Sequence, residues 1–292
     1  MKRTSPLAER HGGLLKGSKK MGVWDALDEI STRYICEDSC VSVLLKPLQS
    51  GKVLYSRNPD RAMKSASTIK VLILLACLDA LEAENEERIR LDEMIHVKPS
   101  DRVPYSLVTL LDADQWLLGD LLKLMIATSD NTATNLVIKR IGFSAVNELA
   151  QKIGMGQTYL RRLMMDTEAA ARGEENTTSL SDMCRLYERL WHASRAEMEG
   201  KTAQRPMSGA LDVLRNVADS SLLLRFFTED ECPLSHKTGG LPDVHHDAGI
   251  FYADCGDYFF GVFTAGMPEA ESKELIGRLS RAVYDSRREW FV

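Results

Sequence analysis

The chain has 292 residues, 44% apolar and 27% charged, the balance expected of a soluble globular protein with a large core. A net charge of -5 gives no footing to nucleic acid or to an anionic membrane surface, and no repeat or low-complexity tract interrupts the sequence.

Residues 1–22 differ in composition from the rest. Lys2, Arg3, Arg10, Lys16, Lys19 and Lys20 oppose Glu9, and Gly12, Gly13 and Gly17 break the run. No continuous apolar stretch and no small-residue cleavage site follow the basic start, so the segment reads as a disordered basic arm rather than a secretory signal. The expectation is a cytoplasmic protein, or an exported one whose signal has been removed. The six cysteines, Cys36, Cys40, Cys77, Cys184, Cys232 and Cys255, form no C-x-x-C and do not sit beside histidine at metal spacing. They suit a reducing compartment and imply no metal, and the spacing permits a Cys36–Cys40 bridge without requiring one.

In chain order, the apolar stripe Trp24, Leu27, Ile30 and Tyr34 predicts a helix over 24–37. Val41–Leu45 and Lys52–Ser56 predict two strands, turned by Gln49-Ser50-Gly51. Thr68–Leu81 is apolar on every side apart from Lys70 and Asp79, which describes a buried helix too short to span a membrane. Helices are predicted over 116–128, 131–141, 144–153, 179–191 and, as one or two pieces, 207–227, with Gly142 and Gly154 as stops. Strands return at 247–252 and 258–265 with a turn placed at Gly256-Asp257, and an amphipathic helix over 269–290 ends the chain. Strands at both ends and helices between them predict an α+β protein. Its antiparallel sheet, built from 23–62 and 203–292, is covered by terminal helices, and an all-helical domain is inserted over 63–202.

Three short motifs fall where those parts meet. Ser67-Thr68-Ile69-Lys70 opens the buried helix, which sets the serine hydroxyl and N–H at the positive end of the helix dipole. Lys70, one turn on, shares its face and has no water-facing option, so desolvation should lower its pKa toward that of a base. Taken alone, S-x-x-K equally describes a capping serine and a snorkelling lysine. Ser129-Asp130-Asn131 separates two helices, where the residues could serve as an ordinary N-cap or as a proton relay with a substrate-binding amide. Lys237-Thr238-Gly239, followed by Gly240, precedes a strand, and the glycines allow close approach of a ligand. The N–H groups of Ser67 and Gly240 are then the natural pair of donors for an oxyanion. Any one motif is weak evidence, but their joint order is not explained by three unrelated turns.

With these motifs the chain resembles the class A β-lactamase group of penicillin-recognising serine hydrolases. The resemblance extends over most of 41–289, through S-A-S-T-I-K-V-L-I-L-L, V-P-Y-S-L-V-T around Tyr105, L-M-I-A-T-S-D-N-T-A-T-N-L, and S-L-L-L-R-F-F with S-H-K-T-G. It implies acylation and deacylation of a serine without a metal or other cofactor. Ser67 would be the nucleophile, Lys70 its base or relay, and Ser129 and Asn131 would handle proton transfer and substrate binding. Lys237 and Thr238 would bind a carboxylate, Gly240 would contribute to the oxyanion site, and Tyr105 would flank the mouth.

Two departures stand out. The family's R-x-E-x-x-L-N, whose glutamate activates the deacylating water, is absent; 161–178 reads R-R-L-M-M-D-T-E-A-A-A-R-G-E-E-N-T-T. Asp166 and Glu168 are the candidate acids, Glu168 preferred, and both could equally be surface acids paired with Arg161 or Arg172. After K-T-G, the place of a usual arginine is taken by Val244-His245-His246-Asp247, and adjacent histidines on a strand face opposite ways, so one could line the cleft. The expected function is hydrolysis of β-lactams through an acyl-enzyme on Ser67. A related amidase, D-Ala-D-Ala-type peptidase or esterase, acylated but slowly turned over by β-lactams, is the alternative, and a non-catalytic binding protein is the third. Expected partners are small β-lactam or peptide-like molecules.

Overall fold

The computed structural model describes residues 22–35, 37–81, 89–198 and 205–291. Residues 1–21 of the basic arm predicted over 1–22, and Cys36, lie outside them. The elements are α1 (Val23–Tyr34), β1 (Cys40–Pro47), β2 (Tyr55–Arg57), β3 (Met63–Lys64), α2 (Lys70–Leu81), β4 (Met94–His96), α3 (Leu107–Leu110) and β5 (Gln115–Leu117). There follow α4 (Leu118–Ala127), α5 (Asn131–Lys152), α6 (Thr167–Ala171), β6 (Thr177–Thr178), α7 (Leu180–Met198) and α8 (Arg205–Leu214). The chain finishes with β7 (Leu234–Leu241), β8 (Val244–Ala253), β9 (Gly256–Ala265), α9 (Glu269–Asp285) and α10 (Arg287–Trp290).

The main sheet is antiparallel with strand order β2-β1-β9-β8-β7, so the first and last parts of the chain meet in it and β7 is left at an edge. Strands β1, β8 and β9 are buried on both faces over most of their length, and their alternation sorts side chains into two cores. Val41, Val43, Leu45, Phe251, Phe260 and Val262 pack with α1 and α9. Leu44, Ala248, Ile250, Phe259 and Phe263 face the other way and join a core that continues through α2, α4, α5 and α7. Helix α2 lies inside that second core, with Val71 to Leu78 buried without interruption. The predicted stop at Gly142 is seen as a break within α5, where the glycine takes φ 84° and ψ 154°.

Several boundaries differ from expectation, among them the K-T-G motif, which lies inside β7 instead of preceding a strand. The β8–β9 turn is made by Asp254-Cys255, because Ala253 pairs with Gly256. The predicted strand 52–56 shrinks to β2, and the chain from Arg215 to Phe227 runs in turns after α8 instead of continuing as helix. Cys40, Cys77, Cys184, Cys232 and Cys255 are free thiols. Among the described residues no helix is long and apolar enough to cross a membrane.

Candidate active site

Ser67 lies in a single 3-10 turn, Ala66–Ile69, that leads directly into α2. The turn is set by local bonds: Thr68 N–H and Oγ–H both donate to Ser65 O, at 3.1 and 2.6 Å. Ser65 N–H in turn donates to Asn176 O at 2.8 Å, so the closing N-T-T of the 161–178 segment lies against the strand that delivers Ser67.

Lys70 is fully buried at the start of α2. Its ammonium donates to Ser129 O (2.7 Å), Ser129 Oγ (3.1 Å) and Asn131 Oδ1 (2.9 Å), so its hydrogen-bonding partners are neutral oxygens. Burial, and then the charge of Lys237, push its pKa well below the ordinary lysine value, with Asp130 opposing them. The amine therefore gives up its proton more readily than an ordinary lysine, and it touches Ser129 as well as lying one turn from Ser67.

Asp130 is an anchor. One oxygen caps α5 through Ala133 N–H (2.8 Å) and accepts from Ser106 Oγ (2.8 Å), and the other accepts from Val108 N–H (3.1 Å). Asn131 joins the same loop, its N–H donating to Tyr105 O and its Nδ2 to Pro104 O, each at 3.2 Å. These ties place Tyr105 beside the S-D-N loop with 81% of its surface exposed. Ala66, Tyr105, Ser129 and Met165 all hold left-handed backbone, at φ 46°, 57°, 56° and 65°. Such conformations cost non-glycine residues on the order of 1 kcal/mol each, and three of them, at Ala66, Tyr105 and Ser129, lie in or beside the S-T-I-K and S-D-N turns.

The edge strand completes the arrangement. Tyr252 N–H donates to Pro233 O, which sets the phase of the β7–β8 ladder: Ser235, Lys237, Gly239 and Leu241 bond to β8. Thr238 and Gly240 therefore turn their N–H and C=O groups outward along the free edge. A Cβ on Gly239 would come within 3.1 Å of Ser67 N, so only glycine lets this strand approach the serine turn so closely. Lys237 is buried, donates to Thr238 O at 3.1 Å, and has its pKa lowered to about 8 by burial, against the pull of Asp247 and Asp219.

The structure thus brings Ser67, Lys70, Ser129, Asn131, Lys237, Thr238, Gly240 and Tyr105 to one cleft. Asp166 and Glu168 are differently placed. Asp166 caps α6 by accepting from Ala169 N–H at 2.9 Å, and Glu168 is exposed on the first turn of that short helix. The pairings foreseen for them are also replaced: Arg161 donates to Glu175 O and Thr177 Oγ1, and Arg172 pairs with Glu174. Three features that sequence reading missed hold the segment. Arg162 pairs with Glu175 at 2.6 Å; Asn176 Oδ1 accepts from the N–H groups of Arg161 and Arg162; and Asn135 clasps the backbone of Met164 in both directions, at 2.7 and 3.0 Å. Asn135 lies four residues after Asn131 on the same helix, the one sequence cue available for it.

The adjacent histidines are resolved into two different residues. His246 is enclosed, with Nε2 donating to Lys64 O (3.0 Å), Nδ1 accepting from Thr264 N–H (3.3 Å) and its ring stacked on Phe263 at 4.0 Å. Burial lowers its pKa to about 4, which makes it a neutral packing residue. His245 faces α9 instead, opposite Gly240 in the register.

The fold and the serine–lysine centre define the class. The chain belongs to the β-lactamase enzyme family, whose model matches residues 23–286. Among solved structures it is similar to PBP-A, with 26% identity over 90% of this chain and 96% of that one (TM-score 0.77). A β-lactamase from Sphaerobacter thermophilus is 27% identical over 91% and 98% of the two chains (TM-score 0.77). An ancestral class A β-lactamase shares the fold at 21% identity, over 91% and 100% (TM-score 0.75). The β-lactamase-like fold is thereby established, and family and fold together support a serine hydrolase of this type.

Proposed function

We propose that the protein is a penicillin-binding serine acyl-enzyme former: β-lactams and related acyl amides acylate Ser67 readily, and the acyl-enzyme is released slowly. The observation that carries this reading is the buried Lys70 amine, held by Ser129 and Asn131 one turn from Ser67. In acylation, neutral Lys70 takes the Ser67 hydroxyl proton as the oxygen attacks the carbonyl carbon. The resulting oxyanion sits between the N–H groups of Ser67 and Gly240, the second of which points out from the edge of β7. Collapse breaks the C–N bond, and Ser129 Oγ delivers a proton to the leaving nitrogen while Lys70 replenishes it. Lys237 and Thr238 hold the substrate carboxylate, and Asn131 and Tyr105 flank its acyl side.

Slow release follows from the rebuilt segment. Registering R-x-E on Arg162, the arginine that closes the segment through Glu175, puts Met164 in the glutamate's place; registering it on Arg161 puts Leu163 there. Either residue is apolar and can orient no water. Asp166 is committed to its helix cap and Glu168 to solvent, and the charges that act on Lys70 are those of Lys237 and Asp130. A leucine-to-glutamate mutant of PBP-A, 26% identical to this chain over 91% of it and 96% of that chain (TM-score 0.77), has been captured as an acyl-enzyme with penicillin G. The reading therefore favours a peptidase- or esterase-like enzyme trapped by β-lactams over an efficient β-lactamase. Intact-mass measurement after mixing with penicillin G tests it: one adduct on Ser67, persisting for many minutes and absent in Ser67→Ala, is expected. An adduct on another residue, or none at all, would overturn the assignment.

A further inference from the structure

His245 stands opposite Gly240 across the β7–β8 pair and on the same face as Thr238. Gly240 has no side chain, and a Cβ placed there would meet nothing within 4 Å, so the space over it is open. His245 and Thr238, 8% and 7% exposed, flank that space. His245 Nδ1 is buried and has no hydrogen-bond partner, whereas its neighbour His246 has both ring nitrogens satisfied. This Nδ1 is thus a buried polar atom left unpaired, on a nearly buried ring opposite Gly240 of the K-T-G strand.

We propose that His245 is a specificity-determining residue, an uncharged hydrogen-bond donor to the substrate carboxylate at the place where a permanent cation would otherwise serve. The inference rests on the acyl-enzyme reading above. The ring stays neutral for a geometric reason: protonating both nitrogens would leave a buried N–H at Nδ1 without an acceptor. The surrounding charges do not reverse this. Glu269 and Lys273 of α9 pair with each other at 2.7 Å. Asp243 in the hairpin turn pairs with Lys64 at 3.2 Å. Asp247, on the same face of β8, is engaged by His236 (2.8 Å) and by Leu223 N–H (3.1 Å). Burial accordingly lowers the His245 pKa, with Glu269 and Asp243 opposing and Lys273 reinforcing the shift. Carboxylate recognition in this cleft then depends on one full cation, Lys237, and two neutral donors, Thr238 and His245. The substrate class it suits is an acyl amide or ester with a single carboxylate, bound less tightly at neutral pH than at acid pH, where the imidazole charges.

The test compares second-order acylation of Ser67 by benzylpenicillin and by its methyl ester in the native protein, His245→Ala, His245→Gln and His245→Arg. The acid-to-ester ratio is insensitive to the fraction of protein that folds. It should fall about tenfold in His245→Ala, the scale of one hydrogen bond to a charged group. It should recover in part with Gln, which keeps a neutral donor, and exceed the native value with Arg. In the native protein the ratio should rise as pH falls below 6.5, and in His245→Ala that rise should vanish. An unchanged ratio in His245→Ala, with no response to Arg, overturns the proposal. If neither compound acylates the native protein, the acyl-enzyme reading fails separately. His245 is then judged by its imidazole resonance during titration with benzylpenicillin and with the ester: a shift confined to the acid supports the role, and equal or absent shifts refute it.

Discussion

The Lys70 region and the 161–178 segment are both held by side-chain hydrogen bonds, and they use them for opposite ends. Around Lys70 the bonds converge on one side chain: the amine is gripped by Ser129 and Asn131, and Asp130 fixes the loop that carries them. Around the 161–178 segment the bonds hold backbone. Asn135 clasps Met164, Asn176 caps Arg161 and Arg162, and Asp166 caps α6. The first network leaves a buried amine whose pKa is lowered. The second fixes the shape of a segment whose Met164 is buried in the apolar core, with Leu163 packed against that core. The groups that shape the segment, Asn135, Asn176 and Asp166, are thus spent on backbone hydrogen bonds.

The largest effect should come from breaking the first network. Lys70→Ala removes the base and should lower the acylation rate by about 10²- to 10⁴-fold, measured as adduct formation by mass spectrometry. Adding chemistry to the second region sharpens the contrast from the other side. Met164→Glu should speed decay of the adduct by about 10²-fold or more with little change in its formation. Glu168→Gln, made as its control, should leave both rates unchanged; a slower decay in that variant would return the water-activating role to Glu168. A smaller effect distinguishes the carboxylate end. Lys237 is a cation below pH 8 and loses its charge as pH rises through about 8. Acylation by benzylpenicillin should therefore fall across that range, while the methyl ester shows no such limb; parallel profiles would remove Lys237 from carboxylate binding.

The local geometry of S-T-I-K and S-D-N was legible in the sequence because it rests on local rules. S-T-I-K at the mouth of an apolar run dictates a buried lysine one turn from a serine, and S-D-N between two helical stretches dictates a cap. The sheet was legible in outline, though the turn after Ala253 was misplaced by two residues, since glycine at 256 marks the strand start here rather than the turn. The segment after Tyr159 was not legible. Its shape depends on the pairing of Arg162 with Glu175 and on Asn135 of α5, 29 positions before Met164, and neither leaves a periodic pattern. Likewise, V-H-H-D gave two histidines on opposite faces, and only the ladder phase and Thr264 decided which one was already satisfied.

The central proposal is that this protein is acylated readily on Ser67 and deacylates poorly. A progress curve with a chromogenic cephalosporin in modest excess reads both steps at once. The account predicts a rapid burst equal to the concentration of Ser67, followed by a near-flat phase that Met164→Glu converts into sustained turnover. Steady hydrolysis by the native protein from the first turnover, without a stoichiometric burst, would contradict it.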